Sequence, residues 1–172
     1  MLETMQYRSV GVSGDYCRCL LKRMASFIAA VILLGTGAPV CACPLELPSG
    51  WIVIKDRRLT VEVAASPSAR SCGLSHRAYL PENHGMLFVE PEPSVLAFWM
   101  KDTHIPLSIA FIDDAGRIVD IQQMEPLEKT RYHRSPSKVR FALEVNRGWF
   151  DKHGIVRGHT VEMHIPLGLD IR

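Results

Sequence analysis

Ten residues from Phe98 to Leu107, FWMKDTHIPL, hold the side chains of this chain best suited to recognising a ligand. An indole ring such as that of Trp99 can stack on a flat or apolar group, and the ammonium of Lys101 can hold an anion. Neighbouring side chains on a strand point to opposite faces, so Trp99 and Lys101 would share one face. The alternative buries one of the aromatic rings in the core and lays the methylene stem of Lys101 over it. This segment is therefore the first candidate for a binding site.

Two arginines, Arg70 and Arg77, are the next candidates for ligand contact. A guanidinium group can hold a carboxylate or a phosphate through two parallel hydrogen bonds. The alternative is structural, with at least one arginine paired with Glu144 or Asp113 to lock a helix onto a sheet. The sequence leaves both possibilities open.

Motifs for catalysis are sparse. The sequence has no Gly-x-Ser-x-Gly elbow, no zincin helix motif and no phosphate-binding loop. Asp113 and Glu144 could act as acid and base in a hydrolase, but the separation of their carboxyl groups would decide this. Cys72 is typical of a small buried residue rather than a nucleophile. The histidines and methionines match no metal-ligand spacing, so we predict neither a metal nor a cofactor.

Residues 1–42 have the features of a removed secretory leader. Three basic residues at positions 18–23 precede an apolar run at 24–34, and small residues follow as far as Ala42. This order is typical of a signal peptide, and the run is shorter than the roughly 20 residues of a membrane span. We predict cleavage before Cys43 and a periplasmic or secreted protein.

The end of this leader allows a second route of processing. The sequence VCAC at 40–43 also resembles the box of a lipoprotein, which would place a lipid on Cys43. Contact with a membrane would then come only through the signal peptide or through this lipid. After cleavage two cysteines remain, Cys43 and Cys72, which could pair in an oxidising compartment.

The leader also carries the excess positive charge. The whole chain has 20 Lys and Arg against 18 Asp and Glu. Residues 1–42 hold four of the basic and two of the acidic side chains, which leaves 16 against 16. A balanced charge does not support a basic surface for nucleic acid, so we predict no nucleic-acid partner.

From residue 44 onward, apolar and polar residues mostly alternate with a period of two, which is typical of β-strands. The predicted strands are 51–54, 59–63, 86–89, 95–100, 107–112, 118–121, 140–145 and 160–165. Short helices are predicted from Pro67, capped by Ser66, to near Gly73, and around 148–153. About eight strands and two short helices indicate an α+β domain that is mostly antiparallel and barrel-like. We divide the chain into residues 1–42, a mature N-terminal segment at 43–58 and a globular domain at 59–167.

Motifs along this domain resemble a bacterial and archaeal family known as domain of unknown function 192. The matching residues are Arg70, Gly73, Leu74, Arg77, Gly85–Phe88, Phe98–Lys101, Thr103, Ile105–Leu107, Phe111–Asp113, Leu143–Val145, Gly148 and Gly158. The resemblance covers about residues 59–165. The family usually has Asn where this chain has Asp102, and Asp where it has His159. Because the family has no established activity, the resemblance implies a fold and leaves the function open.

We predict from these observations a protein that binds a small or extended ligand in a cleft near the FWMKDT corner at 98–103. The ligand would be a small molecule, a glycan or a peptide. The residues predicted to bind it are Arg70, Arg77, Trp99, Lys101 and Asp113. The alternatives are a hydrolase that uses Asp113 or Glu144 as acid or base, and a structural envelope protein without catalytic activity. No motif assigns a catalytic residue, so we lean towards a protein that is not an enzyme.

Overall fold

The computed structural model describes residue 43 and residues 46–171. The predicted leader at 1–42 lies outside them. The strands are β1 (Ser49–Ile54), β2 (Arg57–Ala64), β3 (His84–Ser94), β4 (Ala97–Phe98), β5 (Leu107–Ile112), β6 (Ile118–Met124), β7 (His133–Arg134), β8 (Val139–Asn146) and β9 (Val161–His164). The helices are α1 (Pro67–Cys72) and α2 (Trp149–Lys152). Within these residues no helix has the length and apolar character needed to cross a membrane.

Seven strands form one mixed sheet in the order β6-β5-β8-β3-β2-β1-β9. All neighbours in it are antiparallel except β2 and β3, which are parallel because α1 and the loop after it return the chain to the same end of the sheet. Backbone hydrogen bonds join the two edge strands at one corner, where Ile118 donates to the carbonyl of His159 and Val161 to that of Gly116. The sheet therefore curls into a half-barrel, which confirms the predicted fold class.

The described residues contain nine strands rather than about eight, and the additional strand is β7, which pairs with β4 beside the FWMKDT corner. The predicted strand at 95–100 contains only β4, because only Ala97 and Phe98 find a partner, in β7. These two strands form a separate small sheet beside the large one. The segment after Phe98 is then free of strand geometry and can turn sharply.

The predicted helix from Pro67 is present as α1. The amide of Ala69 donates to the Ser66 side chain over 3.3 Å, and Pro67 occupies the first turn. The helix ends at Cys72 and is capped by Gly73, whose φ of 51° suits a residue without a side chain. A disulfide joins Cys72 at the end of α1 to Cys43, with 5.7 Å between the Cα atoms.

Apolar side chains on the two faces of the large sheet form two buried clusters. One cluster fills the inside of the curl and includes Ile52, Leu87 and Trp149. The other includes Phe88 and packs beneath α1 and the small sheet. Since both faces are covered, every residue of β5 is buried. β1 lies between β2 and β9, so the predicted segment 43–58 contributes an internal strand to the same sheet.

Candidate functional site

A cleft of about 330 Å³ opens above the second cluster, at the FWMKDT corner. Its walls come from the end of α1 and the loop after it, from β3, from the segment around β4, and from β8. The lining residues are 70–75, Phe88, Glu90, 96–99, Thr103 and Glu144. Volumes of this size, at the small end for ligand pockets, suit one compact ligand or one unit of a longer one.

The carboxyl group of Glu144 is the most unusual feature of the cleft. Glu144 lies on β8 opposite Met86 of β3, and only 5% of the residue is exposed. Among the described residues its carboxyl has no hydrogen-bond or ion-pair partner. Burial raises the pKa of Glu144 to about 8, because an ionised carboxylate loses its hydration there. At neutral pH this side chain is therefore a protonated acid that lines the cleft.

Arg70 lines the cleft but its charge is already compensated. Its guanidinium donates to the carbonyls of Ala65 and Val89, and its Nε lies 3.2 Å from Oε1 of Glu90. Only 15% of the Arg70 side chain is exposed. These contacts tie α1 to β3 and to the residue that follows β2, and they make Arg70 and Glu90 a neutral pair in the wall. Arg70 therefore has the structural role that the sequence left open as an alternative, but it pairs with Glu90 rather than with Glu144 or Asp113.

Trp99 stands at the rim of the cleft and is 46% exposed. Its ring stacks on Tyr132, with centroids 5.7 Å apart and planes 11° apart. The ammonium of Lys101 lies 5.4 Å from the centroid of the Trp99 ring, within cation–π range. Lys101 is therefore next to the cleft through Trp99, although it is not a lining residue.

The two other predicted ligand contacts, Arg77 and Asp113, lie outside the lining of the cleft. Both terminal nitrogens of Arg77 donate hydrogen bonds to the carboxylate oxygens of Glu62, over 2.5 and 2.6 Å. These hydrogen bonds raise the pKa of Arg77. Asp113 accepts the amides of Ala115 and Arg117 in the turn between β5 and β6. The structure thus brings Arg70 and Trp99 together and holds Arg77 and Asp113 by contacts elsewhere; their binding roles stay predictions.

The turn after Met100 is held by an unusual backbone arrangement. Asp102 has φ of 58°, and its carbonyl accepts the amide of His76, which has φ of 62°. Beside it, the carbonyl of Thr103 accepts the amide of Leu127, which has φ of 59°. Asn and Asp adopt this left-handed conformation more readily than most residues. The family preference for Asn at 102 is therefore explained by backbone geometry, which Asp102 also satisfies.

Several lining residues had not been predicted, and Glu90 is the most informative. It lies two and four residues after Phe88 and Met86, so the period of two places all three on one face of β3. That signal shows a shared face but not that β8 brings Glu144 to it. Cys72 also lines the cleft, but its sulfur is bonded to Cys43 and is not a free thiol. In the described ranges no group of three or more His, Cys, Asp or Glu is arranged to hold a metal ion.

Comparison with known proteins agrees with this architecture. The family model for domain of unknown function 192, described as an uncharacterised ACR, matches residues 50–163. The chain belongs to this family. No curated protein matches it significantly.

Two solved structures show the same fold as this family member. A candidate transcription regulator from Sinorhizobium meliloti is 31% identical, with a TM-score of 0.66, over 70% of this chain and 97% of that one. A protein of unknown function from Novosphingobium aromaticivorans is 29% identical, with a TM-score of 0.60, over 67% of this chain and 83% of that one. The domain of unknown function 192 family thus accounts for most of the described part of this chain.

Proposed function

We propose that this protein is an exported domain that binds a small ligand, or one unit of an extended ligand, in the cleft at the FWMKDT corner. The observation that carries the proposal is the carboxyl of Glu144, which is buried, lines the cleft and has no partner within the described residues. Among the described residues the fully enclosed side-chain atoms without a hydrogen bond are Nε2 of His133 and Nε of Arg147, so the oxygens of Glu144 keep some exposure towards the cleft. A carboxyl group that is nearly buried and poorly hydrated is stabilised by a partner supplied from outside the chain.

The rest of the lining supports binding. Phe88, Leu96 and Phe98 give apolar walls, and Thr103 and Arg70 add a few polar atoms. Pockets for small molecules commonly combine apolar walls with a few well-placed polar groups. Trp99 at the rim already contacts Tyr132 and Lys101, and its exposed part adds apolar surface that a ligand can contact.

The disulfide supports export. Bonds of this kind persist in the periplasm and outside the cell and are rare in the cytosol. The lipoprotein alternative would attach its lipid to the same Cys43 sulfur that bonds Cys72. Plain secretion is therefore the better supported route. Alkylation of the unreduced protein from a periplasmic fraction should leave both cysteines unlabelled, and a lipid on Cys43 would contradict this.

Ligand binding is tested by screening the mature domain, by thermal shift, against small metabolites, glycans and short peptides. A ligand of the native state raises the melting temperature. Ser71→Trp places a large ring in the cleft from an exposed position of α1, and it should abolish the shift. Ser68→Trp, on an exposed position of the same helix outside the lining, should leave the shift intact. A hit that survives Ser71→Trp, or no hit at all, would contradict the proposal.

The hydrolase alternative keeps one supporting feature, the raised pKa of Glu144 in the cleft. A carboxylic acid with a raised pKa can donate its proton to a leaving group, as glycosidases do. Asp113 gains no support as its partner, because it caps a turn outside the lining. Assays with chromogenic glycosides and esters should detect turnover that Glu144→Gln removes. Absence of turnover in a sample that binds a cleft ligand would leave binding as the function.

The designation of the Sinorhizobium meliloti neighbour does not carry over to this chain. A regulator that binds nucleic acid usually has a basic surface. Here residues 43–172 have balanced charges, 16 basic against 16 acidic. We therefore propose no nucleic-acid partner.

A further inference from the structure

We propose that the cleft selects a ligand with a primary ammonium group, which forms an ion pair with the carboxylate of Glu144. This inference rests on the proposed function and names the chemistry of its ligand. The ammonium could come from a lysine-like side chain, a peptide N-terminus or an alkyl amine, and the experiment below separates these sources.

The charge inside the cleft favours a cationic ligand. The charged or titratable side chains among its lining residues are Arg70 on α1, Glu90 on β3 and Glu144 on β8. Arg70 and Glu90 pair with each other and cancel. The lining residues of the segment around β4, together with Thr103, are uncharged. Lys101 and Asp102 lie outside the lining at the same corner and carry one charge of each sign, which cancel. The ionised form of Glu144 therefore gives the cleft one net negative charge, which a single cation complements and an anion does not.

The aromatic rings around the cleft also favour a ligand with an ammonium group. Phe88 and Phe98 line it in an edge-to-face pair with centroids 4.9 Å apart, and Trp99 stands at its rim. Aromatic faces attract ammonium groups and remain poor partners for carboxylates and phosphates. An apolar wall also strengthens an ion pair, because little water remains to screen it. Carboxyl and rings thus favour the same kind of ligand.

Binding of an ammonium group to Glu144 should release a proton that can be measured. Burial raises the pKa of Glu144 to about 8, so the free cleft holds a neutral acid at pH 7. The incoming ammonium is already protonated, and formation of the ion pair releases the Glu144 proton to solvent. About one proton should be released per ligand at pH 6 to 7, and affinity should rise about tenfold per pH unit up to about pH 8.

The charge requirement is tested with three molecules that share a ring and differ in one group: benzylamine, benzyl alcohol and benzoate. Isothermal titration of the mature disulfide-bonded protein should show the tightest binding for benzylamine. Titrations in buffers of different ionisation enthalpy measure the released proton. Glu144→Gln should weaken benzylamine at least about tenfold and leave benzyl alcohol unchanged, because it removes the charge and keeps the shape. Glu92→Gln, an exposed glutamate of β3 outside the lining, is the matched control and should bind like the wild type.

The source of the ammonium is tested with matched pairs. Nα-acetyllysine amide, triglycine and putrescine are each compared with the form in which their amines are acetylated. The true source should lose most of its affinity on acetylation and in Glu144→Gln.

The outcomes separate this inference from the proposed function. If benzyl alcohol or benzoate binds as tightly as benzylamine, or if a screening hit that Ser71→Trp removes is neutral or anionic, ammonium selection is overturned while cleft binding stands. If neither these probes nor any screened compound binds, both fall. Amine binding without proton release at pH 7 would also overturn the ion pair with Glu144.

Discussion

Arg70 and Glu144 line the same cleft, yet no hydrogen bond or ion pair joins them. The guanidinium is held instead by Glu90 and by two backbone carbonyls. Glu144 is therefore left as a buried acid whose charge no other described residue stabilises. The arginine thus holds the wall of the cleft together, and the proposed role of the glutamate in binding a ligand depends on this division.

The first prediction concerns stability against pH. The pKa of Glu144 is raised from the ordinary 4.5 to about 8 in the folded state. Between these values the folded protein keeps a proton that the unfolded chain releases, so wild-type stability should fall as pH rises from about 4.5 to about 8. Glu144→Gln should remove this loss. Its free energy of unfolding should exceed that of the wild type by roughly 3–5 kcal/mol at pH 9 and differ little from it at pH 4. Urea denaturation between pH 4 and 9 measures it.

The control for this prediction is Glu92→Gln, which should keep the wild-type dependence on pH. Equal slopes for Glu144→Gln and wild type would mean that Glu144 is ionised at neutral pH and that its place in the cleft differs from the one described.

The second prediction concerns the wall of the cleft. Arg70→Ala removes two backbone contacts and leaves Glu90 without its partner, so we expect a loss of roughly 2–4 kcal/mol in unfolding free energy. Arg70→Lys should recover little, because an ammonium cannot reproduce the planar set of donors. Chemical denaturation checks both. Lys101→Ala, at an exposed position, is the control and should change the unfolding free energy by less than about 0.5 kcal/mol. A large loss for Lys101→Ala would assign that lysine to the fold instead of the rim.

The third prediction concerns Asp102. Its φ of 58° is accessible to Asn and Gly but strained for Ala. Asp102→Asn should be nearly neutral, and Asp102→Ala should cost about 1 kcal/mol. Thermal denaturation of the two variants compares them directly. If Asp102→Asn costs as much as Asp102→Ala, the carboxylate charge matters and the backbone explanation is wrong.

The fourth prediction concerns the disulfide. Cys43 and Cys72 are separated by 29 positions, and closing a loop of that length restricts the unfolded chain. The double variant Cys43→Ser, Cys72→Ser should lose roughly 2–4 kcal/mol of unfolding free energy. The wild type with dithiothreitol should match it. As a control, dithiothreitol should not lower the unfolding free energy of the double variant further. If dithiothreitol does not lower the unfolding free energy of the wild type, the disulfide is contradicted.

Much of the fold could be predicted from local pattern. The alternation at 107–112 predicted β5 with its observed bounds, and Ser66, Pro67 and Gly73 predicted α1. These signals succeed because a period of two and a helix cap depend on residues close together in the chain. The strand predicted at 95–100 contains only two strand residues, because strand length also depends on a partner, β7, that lies 35 positions later.

The candidate site could be predicted only in part for the same reason. The sequence by itself determined the family, the class of fold, the corner at 98–103, and Arg70 and Trp99 as residues to examine. Only the tertiary structure decided that Arg70 pairs with Glu90, that Arg77 pairs with Glu62, and that Glu144 lines the cleft without a partner from the described part of the chain. Alternation shows which face a side chain occupies, but the register between β3 and β8 sets which residues meet. That register depends on contacts between segments about 55 residues apart, which no local pattern records.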